Sequence, residues 1–433
     1  MNVKIIPAPL KGELAAIASK SDAHRLLICA AFADRETEIG LAAASRDIEA
    51  TAGCLRTLSA KIERTEKGLR VTPVQEAVPN PVLDCGESGS TLRFLLPVAA
   101  AVSRSPEFRG SGRLPERPIS PLLSALEQRG TVVESRSFPL RLSGKLTPGI
   151  FAVPGNVSSQ FVSGLLLAAP LTGGACAVRL TSPLVSEKYV SMTASAMRRF
   201  GAPVKLTPDG FAVASGAYRS PGTINAEGDW SNASFWLVAA ALGGDVTVTG
   251  LPLGSLQPDS RILDILKRYG ACVEQRGDTV RCRAGRRLPF NLETDGSPDL
   301  APVLCVLAAC ADGVSRIRDI ERLRGKESDR VASCISLVQS LGGEIRLWDN
   351  SFVIHGRRRL TGGTVNAMGD HRIVMAAAAA SCACEEEVTI LGSQAVEKSY
   401  PGFFEDFKTL GGSVSECGKD GGYERPVGNQ SKD

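Results

Sequence analysis

The sequence lacks any apolar run that could cross a membrane. Among its 433 residues, the longest nearly uncharged apolar stretches are 300–311 and 373–384, whereas a membrane-spanning helix needs about 20 residues. Lys11 and Glu13 interrupt the only apolar segment that could act as a signal peptide. We therefore expect a cytoplasmic protein that does not enter a membrane.

A large excess of one charge is also missing. Fifty Lys and Arg residues against 46 Asp and Glu residues give a net charge of +4, which is too small for a protein that coats nucleic acid. We therefore expect no nucleic-acid partner, and any anion site must be built from locally placed cations.

Metal-binding and disulfide patterns are absent as well. The twelve cysteines form no CxxC pair, and the chain has only three histidines. Most of the cysteines lie inside apolar runs, where cysteine packs as a small hydrophobic side chain. We expect reduced cysteines and no metal site.

The usual nucleotide and hydrolase motifs do not occur. The sequence has no GxxxxGK[ST], no GxGxxG that opens a βαβ unit, no HExxH and no GxSxG. A cofactor is therefore not expected. The remaining chemistry is anion binding by Lys and Arg together with proton transfer by carboxylates, which fits a transferase acting on small phosphorylated or carboxylated substrates.

One pattern recurs six times, at intervals of 69 to 72 residues. Each copy contains the end of a helix, a small residue and a β-rich run, which is typical of a helix closed by glycine and followed by a strand. The copy that carries serine fits the pattern least well. The six small residues are Ser59, Gly130, Gly201, Gly270, Gly342 and Gly411.

A second pattern interleaves with the first at the same period. In each copy a short polar turn leads into a helix rich in Ala and Leu, and a helix that is apolar on all sides should be buried. Each unit is thus predicted as strand–helix–strand–helix–strand, with the first helix inside and the second amphipathic. The anchors of the six turns are Ser21, Ser90, Ser159, Ser231, Asp299 and Asp370.

Six units of this length account for nearly the whole chain. Three units, roughly 210 residues, make one ordinary domain. The sequence therefore predicts an α/β protein of two three-unit domains, with a crossover near Glu227.

Polar residues collect at the starts of the inner helices. Helix N-termini carry unpaired N–H groups and a positive dipole, so serines beside Lys or Arg suit phosphate or carboxylate. Ordinary N-capping would explain any one copy, but several copies in phase favour an anion site. These residues are Lys20, Ser21, Arg25, Glu87, Ser88, Ser90, Arg93, Ser158, Ser159, Gln160, Asp299, Asp370, His371 and Arg372.

Two further charged clusters lie between these patterns. Arg113 and Arg117 precede a helix, in a loop that two prolines stiffen. In the string LRGKESDR, Lys326 and Arg330 are four residues apart and are predicted to share one helix face, with Glu327 adjacent. A solvated, salt-bridged helix end is the alternative for this second cluster.

Eleven strings carry a resemblance to a known family. In order from residue 19 to about 404, they are SKSDAHR, DCGESGSTLRF, RLPERPI, VSSQF, LVSEKY, EGDWSNASF, QPDSRI, SPDLAP, LRGKESDR, GDHRIVMA and VEKSYPGF. Each string alone is weakly specific. Together they resemble the 5-enolpyruvylshikimate-3-phosphate (EPSP) synthase family of enolpyruvyl transferases, whose members are 3-phosphoshikimate 1-carboxyvinyltransferases.

The resemblance implies a two-domain inside-out α/β barrel of six βαβαββ repeats, three per domain, with buried inner helices and the active site between the domains. It implies that the first strand returns to the C-terminal domain. One domain would then be residues 1–18 plus 227–418, the other 19–226, with a polar tail at 419–433. The discontinuous domain would carry Asp299, Glu327, Arg330, Arg372 and Lys398, and the other domain the shikimate-phosphate ligands.

The implied reaction transfers the enolpyruvyl group of phosphoenolpyruvate to the 5-hydroxyl of shikimate 3-phosphate and releases phosphate. It proceeds by addition and elimination through a tetrahedral intermediate, in the shikimate pathway to the aromatic amino acids. The partners would be these two small molecules only, and the protein would act as a monomer without a cofactor.

The resemblance also assigns roles to individual residues. Asp299 would take the proton of the attacking hydroxyl, Glu327 would protonate the methylene carbon, and Lys20 is a further catalytic candidate. The implied shikimate-3-phosphate ligands are Lys20, Ser21, Arg25, Ser158, Ser159, Gln160, Ser186, Asp299 and Lys326. The implied phosphoenolpyruvate ligands are Lys20, Gly89, Arg117, Gln160, Arg330, Arg372 and Lys398.

Two positions depart from the usual family pattern. Glu87 stands where a neutral amide is common, close to the expected anion site, and would point either at Lys20 or away from it. Ala18 replaces a frequent glycine. Neither change removes a catalytic group, but both bear on substrate affinity and on the binding of anionic mimics.

Three alternatives remain at this stage. UDP-N-acetylglucosamine enolpyruvyl transferase shares the fold, but its pattern has lysine and asparagine where this chain has Lys20 and Ser21, and usually a loop cysteine near Arg117. A non-catalytic polyanion binder would need neither Asp299 nor Glu327. A relative that modifies RNA ends would need a strongly basic groove, which the net charge does not favour.

Overall fold

The computed structural model describes residues 1–41, 44–294 and 296–418. The predicted polar tail at 419–433 lies outside this part of the chain. Within the described ranges, the helices are α1 (Lys20–Ala31), α2 (Arg46–Thr57), α3 (Gly89–Val102), α4 (Ser120–Glu127), α5 (Ser159–Ala168), α6 (Glu187–Arg199), α7 (Trp230–Gly243), α8 (Ile262–Tyr269), α9 (Ala301–Ala309), α10 (Arg330–Ser340), α11 (His371–Ala380) and α12 (Phe403–Thr409).

The strands of the same ranges are β1 (Asn2–Ile6), β2 (Lys11–Ala15), β3 (Thr37–Gly40), β4 (Lys61–Thr65), β5 (Gly68–Thr72), β6 (Val82–Asp84), β7 (Glu107–Arg109), β8 (Thr131–Ser135), β9 (Leu140–Gly144), β10 (Gly149–Val153), β11 (Cys176–Leu180), β12 (Val204–Thr207), β13 (Gly210–Val213), β14 (Thr223–Asn225), β15 (Asp245–Thr249), β16 (Cys272–Arg276), β17 (Thr279–Arg283), β18 (Asn291–Glu293), β19 (Val314–Arg318), β20 (Glu344–Trp348), β21 (Ser351–His355), β22 (Gly363–Asn366), β23 (Val388–Leu391) and β24 (Ser413–Cys417). None of the described helices is long and apolar enough to cross a membrane.

The strands form six four-stranded sheets, one for each predicted unit. In the third sheet β10 pairs in parallel with β11, β11 pairs antiparallel with β13, and β13 forms a hairpin with β12. Each unit therefore ends in two strands. The residue pattern alone missed the second strand of this hairpin, whereas the βαβαββ repeat implied by the resemblance includes it.

Backbone conformation confirms the predicted helix ends. All six small residues of the first pattern have φ between 73° and 93°, including the poorly fitting Ser59 at 80°. This left-handed region favours glycine because other residues carry a Cβ. The repeat is therefore a repeat of backbone geometry as well as of sequence.

The predicted difference between inner and outer helices is also confirmed. All nine residues of α9 are buried, and α3, α5, α7 and α11 are buried on nearly every side. In contrast, α8 buries Ile262, Leu263, Ile265, Leu266 and Tyr269 and exposes its charged side. The sheets and outer helices thus enclose the apolar helices.

The buried hydrophobic residues form two clusters. One lies between residues 23 and 224, and the other combines residues 3–14 with residues 230–410. β1 pairs with β23 and β24, and β2 pairs with β15, so the first two strands belong to sheets of the second cluster. The domain boundaries at residues 18 and 227 stay predictions.

The chain passes between the two clusters twice, and the two passages lie side by side. The N–H of Ser19 donates to the carbonyl of Glu227, and the N–H of Asp229 donates to the carbonyl of Ile17, both at 2.7 Å. These passages lead directly into α1 and α7, which begin at Lys20 and Trp230.

Candidate active site

A cavity of about 360 Å³ lies between the two clusters. Its N-terminal wall is formed by Lys20, Ser21, Arg25, Ser90, Arg93, Phe94, Arg117, Pro118, Asn156–Gln160, Ser186 and Tyr189. Its C-terminal wall is formed by Pro298, Asp299, Arg322, Gly325–Glu327 and Arg372. Twelve of the fifteen predicted site residues contribute to these walls. They are Lys20, Ser21, Arg25, Arg117, Ser158, Ser159, Gln160, Ser186, Asp299, Lys326, Glu327 and Arg372.

Three predicted site residues do not line the cavity. Gly89 lies just behind it, where a Cβ would approach Nη1 of Arg117 and Nη1 of Arg93 to 2.6 Å. The absence of a side chain therefore lets two guanidinium groups reach the start of α3. Arg330 is fully buried, and Lys398 lies beside the cleft in a 3₁₀ turn.

Arg25 is held in the N-terminal wall without a carboxylate. Its Nε donates to Oγ1 of Thr193 at 2.7 Å, and its Nη2 donates to the carbonyl of Tyr189 at 2.9 Å. Burial lowers the pKa of Arg25 to about 10, a change that Asp22 partly offsets. The group stays cationic at neutral pH and retains charge for a bound anion.

Arg93 is held in a similar way. It donates to Oε1 of Gln160 at 2.9 Å and to the carbonyl of Pro118 at 3.0 Å. Gln160 in turn donates to Oγ of Ser90 at 2.9 Å. Burial and the neighbouring Arg117 lower the pKa of Arg93 well below its usual value, and Glu327 offsets this only in part.

Lys20 differs from these arginines because it has a carboxylate partner. Its Nζ lies 2.8 Å from Oδ2 of Asp47, at the start of α2. Burial would lower the pKa of Lys20, but Asp47 and Glu327 raise it above its usual value. Lys20 is therefore an ammonium group, and the sequence did not single out Asp47 as its partner.

In the C-terminal wall, Asp299 is surrounded by cations. Its Oδ1 accepts from Arg330 at 2.8 Å and lies 3.5 Å from Nζ of Lys326. Its Oδ2 accepts from Arg372 at 2.9 Å. Burial would raise the pKa of Asp299, but Arg372, Lys326 and Arg330 hold it well below its usual value.

Glu327 has a comparable environment. Its Oε2 accepts from Arg330 at 2.6 Å, and its Oε1 lies 3.9 Å from Nη1 of Arg117. Burial again opposes ionisation, yet Arg330 and Arg117 keep the pKa of Glu327 well below its usual value. In the absence of ligands, both predicted catalytic carboxyls are therefore ionised.

Arg330 connects these carboxylates from behind the wall. Besides Asp299 and Glu327, its Nε donates to Oδ2 of Asp370 at 2.8 Å. The prediction that Lys326 and Arg330 share a helix face is wrong, because α10 begins at Arg330 and Lys326 lies in the preceding turn. The two cations nevertheless meet at Asp299, whose Oδ1 contacts both.

Among the described residues, four contacts between side chains bridge the two walls of the cleft. Arg117 approaches Glu327 as described, and Arg322 donates to Oγ of Ser186 at 3.2 Å. Arg46 forms an ion pair with Glu397 beside the cavity. The fourth contact is an ion pair between Glu87 and Lys398. The structure therefore describes a cleft whose two sides already touch.

The Glu87–Lys398 pair decides a question that the sequence left open. Glu87 does not pair with Lys20, which is occupied by Asp47. Instead it reaches across the cleft to a lysine predicted to bind phosphoenolpyruvate, which also donates to the carbonyl of Gly369 at 2.9 Å. The carboxylate is thus neutralised by the opposite wall.

Several wall residues had no role assigned from the sequence. Ser90 and Arg93 were recognised as polar residues at a helix start, and Tyr189 and Arg322 lie within or beside motif strings without having been singled out. Asn156 directly precedes VSSQF. A search for polar residues within two or three positions of each motif would have found most of them, since the same turns position them.

Comparison with known proteins identifies the family. Residues 5–407 match the family described as EPSP synthase (3-phosphoshikimate 1-carboxyvinyltransferase). The chain belongs to the EPSP synthase family. A 3-phosphoshikimate 1-carboxyvinyltransferase of Clostridium kluyveri is 39% identical over 96% of this chain and 98% of its own length. The enzyme of the same name from Methanocorpusculum labreanum is 34% identical over 96% and 100%.

Solved structures show the same fold. An EPSP synthase structure from Acinetobacter baumannii superposes with a TM-score of 0.79 at 24% identity, over 96% of this chain and 100% of the other. The enolpyruvyl transferase NikO from Streptomyces tendae gives a TM-score of 0.77 at 17% identity, over 96% and 98%. The predicted two-domain inside-out α/β architecture is that of the EPSP synthase family, and it is confirmed.

Proposed function

We propose that this protein transfers the enolpyruvyl group of phosphoenolpyruvate to the 5-hydroxyl of shikimate 3-phosphate and releases phosphate, as a 3-phosphoshikimate 1-carboxyvinyltransferase. Membership of the EPSP synthase family supports this assignment, as do relatives with that printed name at 34% to 39% identity. The reaction belongs to the shikimate pathway to the aromatic amino acids.

The observation that carries the proposal is the charge of the cavity. Both substrates bear a phosphate and a carboxylate, so the site must accept several negative charges at close range. Among the described residues, seven cationic side chains and two carboxylates line the cavity. Arginine's planar fork suits carboxylate and phosphate. The seven are Lys20, Arg25, Arg93, Arg117, Arg322, Lys326 and Arg372.

In this proposal the N-terminal wall binds shikimate 3-phosphate. Ser21, Arg25, Ser158, Ser159 and Ser186 hold the acceptor, while Lys20 and Gln160 contact both substrates. Asp299 and Lys326 approach the acceptor from the C-terminal wall. Hydroxyls and cations held by neutral partners are suited to this task because they present donors that are not already committed to a carboxylate.

Phosphoenolpyruvate binds between the walls in this proposal. Arg117 and the backbone of Gly89 contact it from one side, and Arg372 and Lys398 from the other. Arg330 acts from its buried position, through the carboxylates that it holds. Binding of the donor anion must draw Arg372 away from Asp299 and Lys398 away from Glu87.

This rearrangement gives the two carboxyls their separate roles. Asp299 becomes a stronger base when Arg372 turns to the donor, because one of its three cations then pairs elsewhere. It can then take the proton of the 5-hydroxyl. The donor's negative charge raises the pKa of Glu327 when it enters beside it, so Glu327 takes a proton from solvent and delivers this proton to the methylene carbon.

The proposal includes the predicted domains, 1–18 plus 227–418 and 19–226, and a monomer that binds no nucleic acid. The two hydrophobic clusters support the division, and a cavity whose walls both come from one chain supports the monomer. A cytoplasmic location is supported by the twelve free thiols, because reducing compartments preserve thiols.

The test is phosphate release from phosphoenolpyruvate by the purified protein, without added metal or nucleotide. We expect release that depends on shikimate 3-phosphate. A parallel reaction with UDP-N-acetylglucosamine as the acceptor should release none. Release with the UDP-sugar alone would overturn the proposal, and so would binding of both substrates without any turnover, which would indicate a polyanion binder.

A further inference from the structure

A buried polar chain lies behind the N-terminal wall and joins three helices. His24 in α1 is fully buried, and its Nδ1 lies 2.7 Å from Oγ1 of Thr51 in α2. Oγ1 of Thr51 lies 2.7 Å from Oγ1 of Thr91 in α3. Thr91 donates to Oγ of Ser88, again at 2.7 Å. The chain therefore runs from α1 through α2 to the start of α3.

The last link determines the direction of every hydrogen in this chain. A hydroxyl has one hydrogen to donate, and Thr91 directs it to Ser88, or to the carbonyl of Asp47 at 3.4 Å. In either case Thr51 must donate to Thr91. Only His24 can then donate in the first link, which requires the tautomer with hydrogen on Nδ1.

The surroundings of the other ring nitrogen are consistent with this tautomer. Nε2 of His24 is buried and has no hydrogen-bond partner among the described residues. The ring meets Phe94 edge to face at 6.4 Å. Burial, with smaller contributions from Lys20 and Arg25, lowers the pKa of His24 well below its usual value. The imidazole is therefore neutral, and Nδ1 carries its single hydrogen.

The far end of the chain supports groups that face the cavity. Oγ of Ser88 accepts from the N–H of Thr91 at 3.2 Å and so caps α3. The next residue is Gly89, against which the guanidinium of Arg117 lies. Thr91 also contacts the backbone of Asp47, whose carboxylate holds Lys20 at 2.8 Å.

We propose that His24 is a positioning residue for the phosphoenolpyruvate site. Through Thr51 and Thr91, its Nδ1–H holds the Ser88–Gly89 turn in the place where Arg117 can reach the donor. His24 does not line the cavity and touches no substrate. This inference rests on the proposed function for the identity of the ligand, but its structural part does not.

The structural part is tested by ¹⁵N NMR of the full-length protein labelled at histidine. The His24 signals, assigned by their loss in His24→Asn, should show a protonated Nδ1 and a bare Nε2. They should not shift as the pH falls from about 8.5 through the usual histidine pKa of about 6.5, since burial lowers the pKa of His24 well below that value. A protonated Nε2, or an imidazolium, would overturn the proposal whether or not the protein has the proposed activity.

The kinetic part uses a matched pair of variants. The amide of asparagine can take the place of Nδ1–H, whereas leucine cannot donate. His24→Leu should raise KM for phosphoenolpyruvate roughly tenfold, the usual effect of losing one buried hydrogen bond, with a smaller change in KM for shikimate 3-phosphate and in kcat. His24→Asn should restore most of the loss. Equal effects of the two variants, or a fall in kcat alone, would overturn the positioning role.

A second pair covers the case in which His24→Leu does not fold. Thr51→Val keeps the shape of the side chain but removes the middle link, and Thr51→Ser keeps the hydroxyl. Only Thr51→Val should raise KM for phosphoenolpyruvate. Unchanged KM values in both variants would also overturn the proposal, whereas a parent protein that releases no phosphate would refute the proposed function and leave the NMR result standing.

Discussion

Two buried arginines on each side of the cleft are held by different kinds of partner. In the N-terminal wall, Arg25 and Arg93 donate to hydroxyl, carbonyl and amide oxygens. In the C-terminal wall, Arg372 pairs with Asp299, while Arg330 behind it pairs with three carboxylates. Burial is similar on the two sides, so the difference lies in the partners.

The pKa values follow this difference. Burial lowers the pKa of Arg25 and of Arg93, and nearby carboxylates offset this only in part. Burial also acts on Arg330 and Arg372, but there the neighbouring carboxylates raise the pKa above its usual value. Arg25 and Arg93 therefore carry positive charge that is held by neutral partners, whereas Arg330 and Arg372 carry it in ion pairs.

One cavity can bind anions and also move protons because its cations have these two kinds of partner. Cations with neutral partners lose little when a substrate anion arrives, so they suit binding. Paired charges must rearrange when an anion arrives, and this rearrangement changes the proton affinity of the carboxylates. We expect substitutions in the N-terminal wall to act mainly on KM and those in the C-terminal wall on kcat or stability.

The largest effect is expected at Glu327. Glu327→Gln removes the proposed acid and should lower turnover by roughly 10²–10⁴-fold, the usual range for losing a general acid, with both KM values little changed. Initial rates of phosphate release measure this. The control is Glu321→Gln, since Glu321 lies in the same segment but is exposed. A large rise in KM without loss of turnover would make Glu327 a binding residue.

Exchange in heavy water separates Glu327 from Lys20 as the proton carrier. The parent protein should incorporate deuterium into the methylene group of phosphoenolpyruvate through the reversible intermediate. The Glu327→Gln variant should lose most of this exchange. Exchange at the parent rate would leave Lys20 as the candidate for the carbon acid.

The next largest effect is expected on stability, where Arg330→Gln and Arg25→Gln form a matched pair. Arg330→Gln leaves three carboxylates without their shared cation and should lower the free energy of unfolding by about 3–5 kcal/mol. Arg25→Gln leaves only neutral acceptors and should cost about 1–3 kcal/mol. Urea unfolding of both variants, with exposed Arg324→Gln as the control, measures the difference. Equal losses would contradict the comparison.

In the binding of shikimate 3-phosphate the order of these two variants should reverse, with Arg25→Gln the more strongly affected. Arg25→Gln removes a cation that the proposal assigns to shikimate 3-phosphate, and should raise KM for that substrate roughly ten- to hundredfold. Its kcat should change little. A fall in kcat with unchanged KM would show that the N-terminal wall also takes part in the chemical step.

The pH dependence of stability tests whether a buried carboxylate beside these ion pairs carries an unfavourable charge. Asp259 is buried beside these ion pairs, and its Oδ1 has no hydrogen-bond partner among the described residues. Burial and the neighbouring Asp299 raise the pKa of Asp259 to about 6. Its unfolded pKa is about 3.9. Between these pH values Asp259 binds more protons in the folded chain than in the unfolded one, so its contribution to the free energy of unfolding falls as pH rises from about 4 to about 6.

Asp259→Asn should remove this pH dependence. The variant should match the parent near pH 4 and exceed its stability at pH 7 by at most about 3 kcal/mol, because one pKa unit corresponds to about 1.4 kcal/mol. Urea unfolding at several pH values measures it, with exposed Asp264→Asn as the control. Parallel pH curves for variant and parent would show that Asp259 does not store unfavourable charge.

The smallest effect is expected at the pair that crosses the cleft. Glu87 is 43% exposed at its side chain, and an exposed pair contributes about 0–1 kcal/mol. Glu87→Asn frees Lys398 and should lower KM for phosphoenolpyruvate by up to about fivefold. Glu397→Gln, which breaks the neighbouring pair with Arg46, should not lower it. An unchanged KM in Glu87→Asn would mean that Glu87 does not compete for Lys398.

Much of the fold could be predicted from the sequence because its determinants are local and repeated. The six helix ends needed a left-handed residue, and the six inner helices needed to be apolar on all sides. Each requirement restricts which residue types can occur in the same part of every unit. The extra hairpin strand was missed because the inner-helix and helix-end patterns do not mark it.

The candidate site was predicted from motif strings, which identified most of the cavity residues but not the buried position of Arg330. The strings led to twelve wall residues, because a turn that presents one ligand is a short, continuous segment. They did not reveal that Arg330 lies behind the wall, since burial of a guanidinium depends on which carboxylates surround it. Asp299 and Asp370, two of its three partners, lie 31 and 40 residues away.

By itself the sequence determined the repeated fold, the family and the chemical character of the cleft, because backbone requirements and short motifs act within one unit. Only the tertiary structure decided that Glu87 pairs with Lys398, 311 residues away, and that His24 is linked through Thr51 to the start of α3. These pairings depend on how separate units pack, and an ion pair or hydrogen bond forms only when packing brings donor and acceptor within about 3 Å of each other.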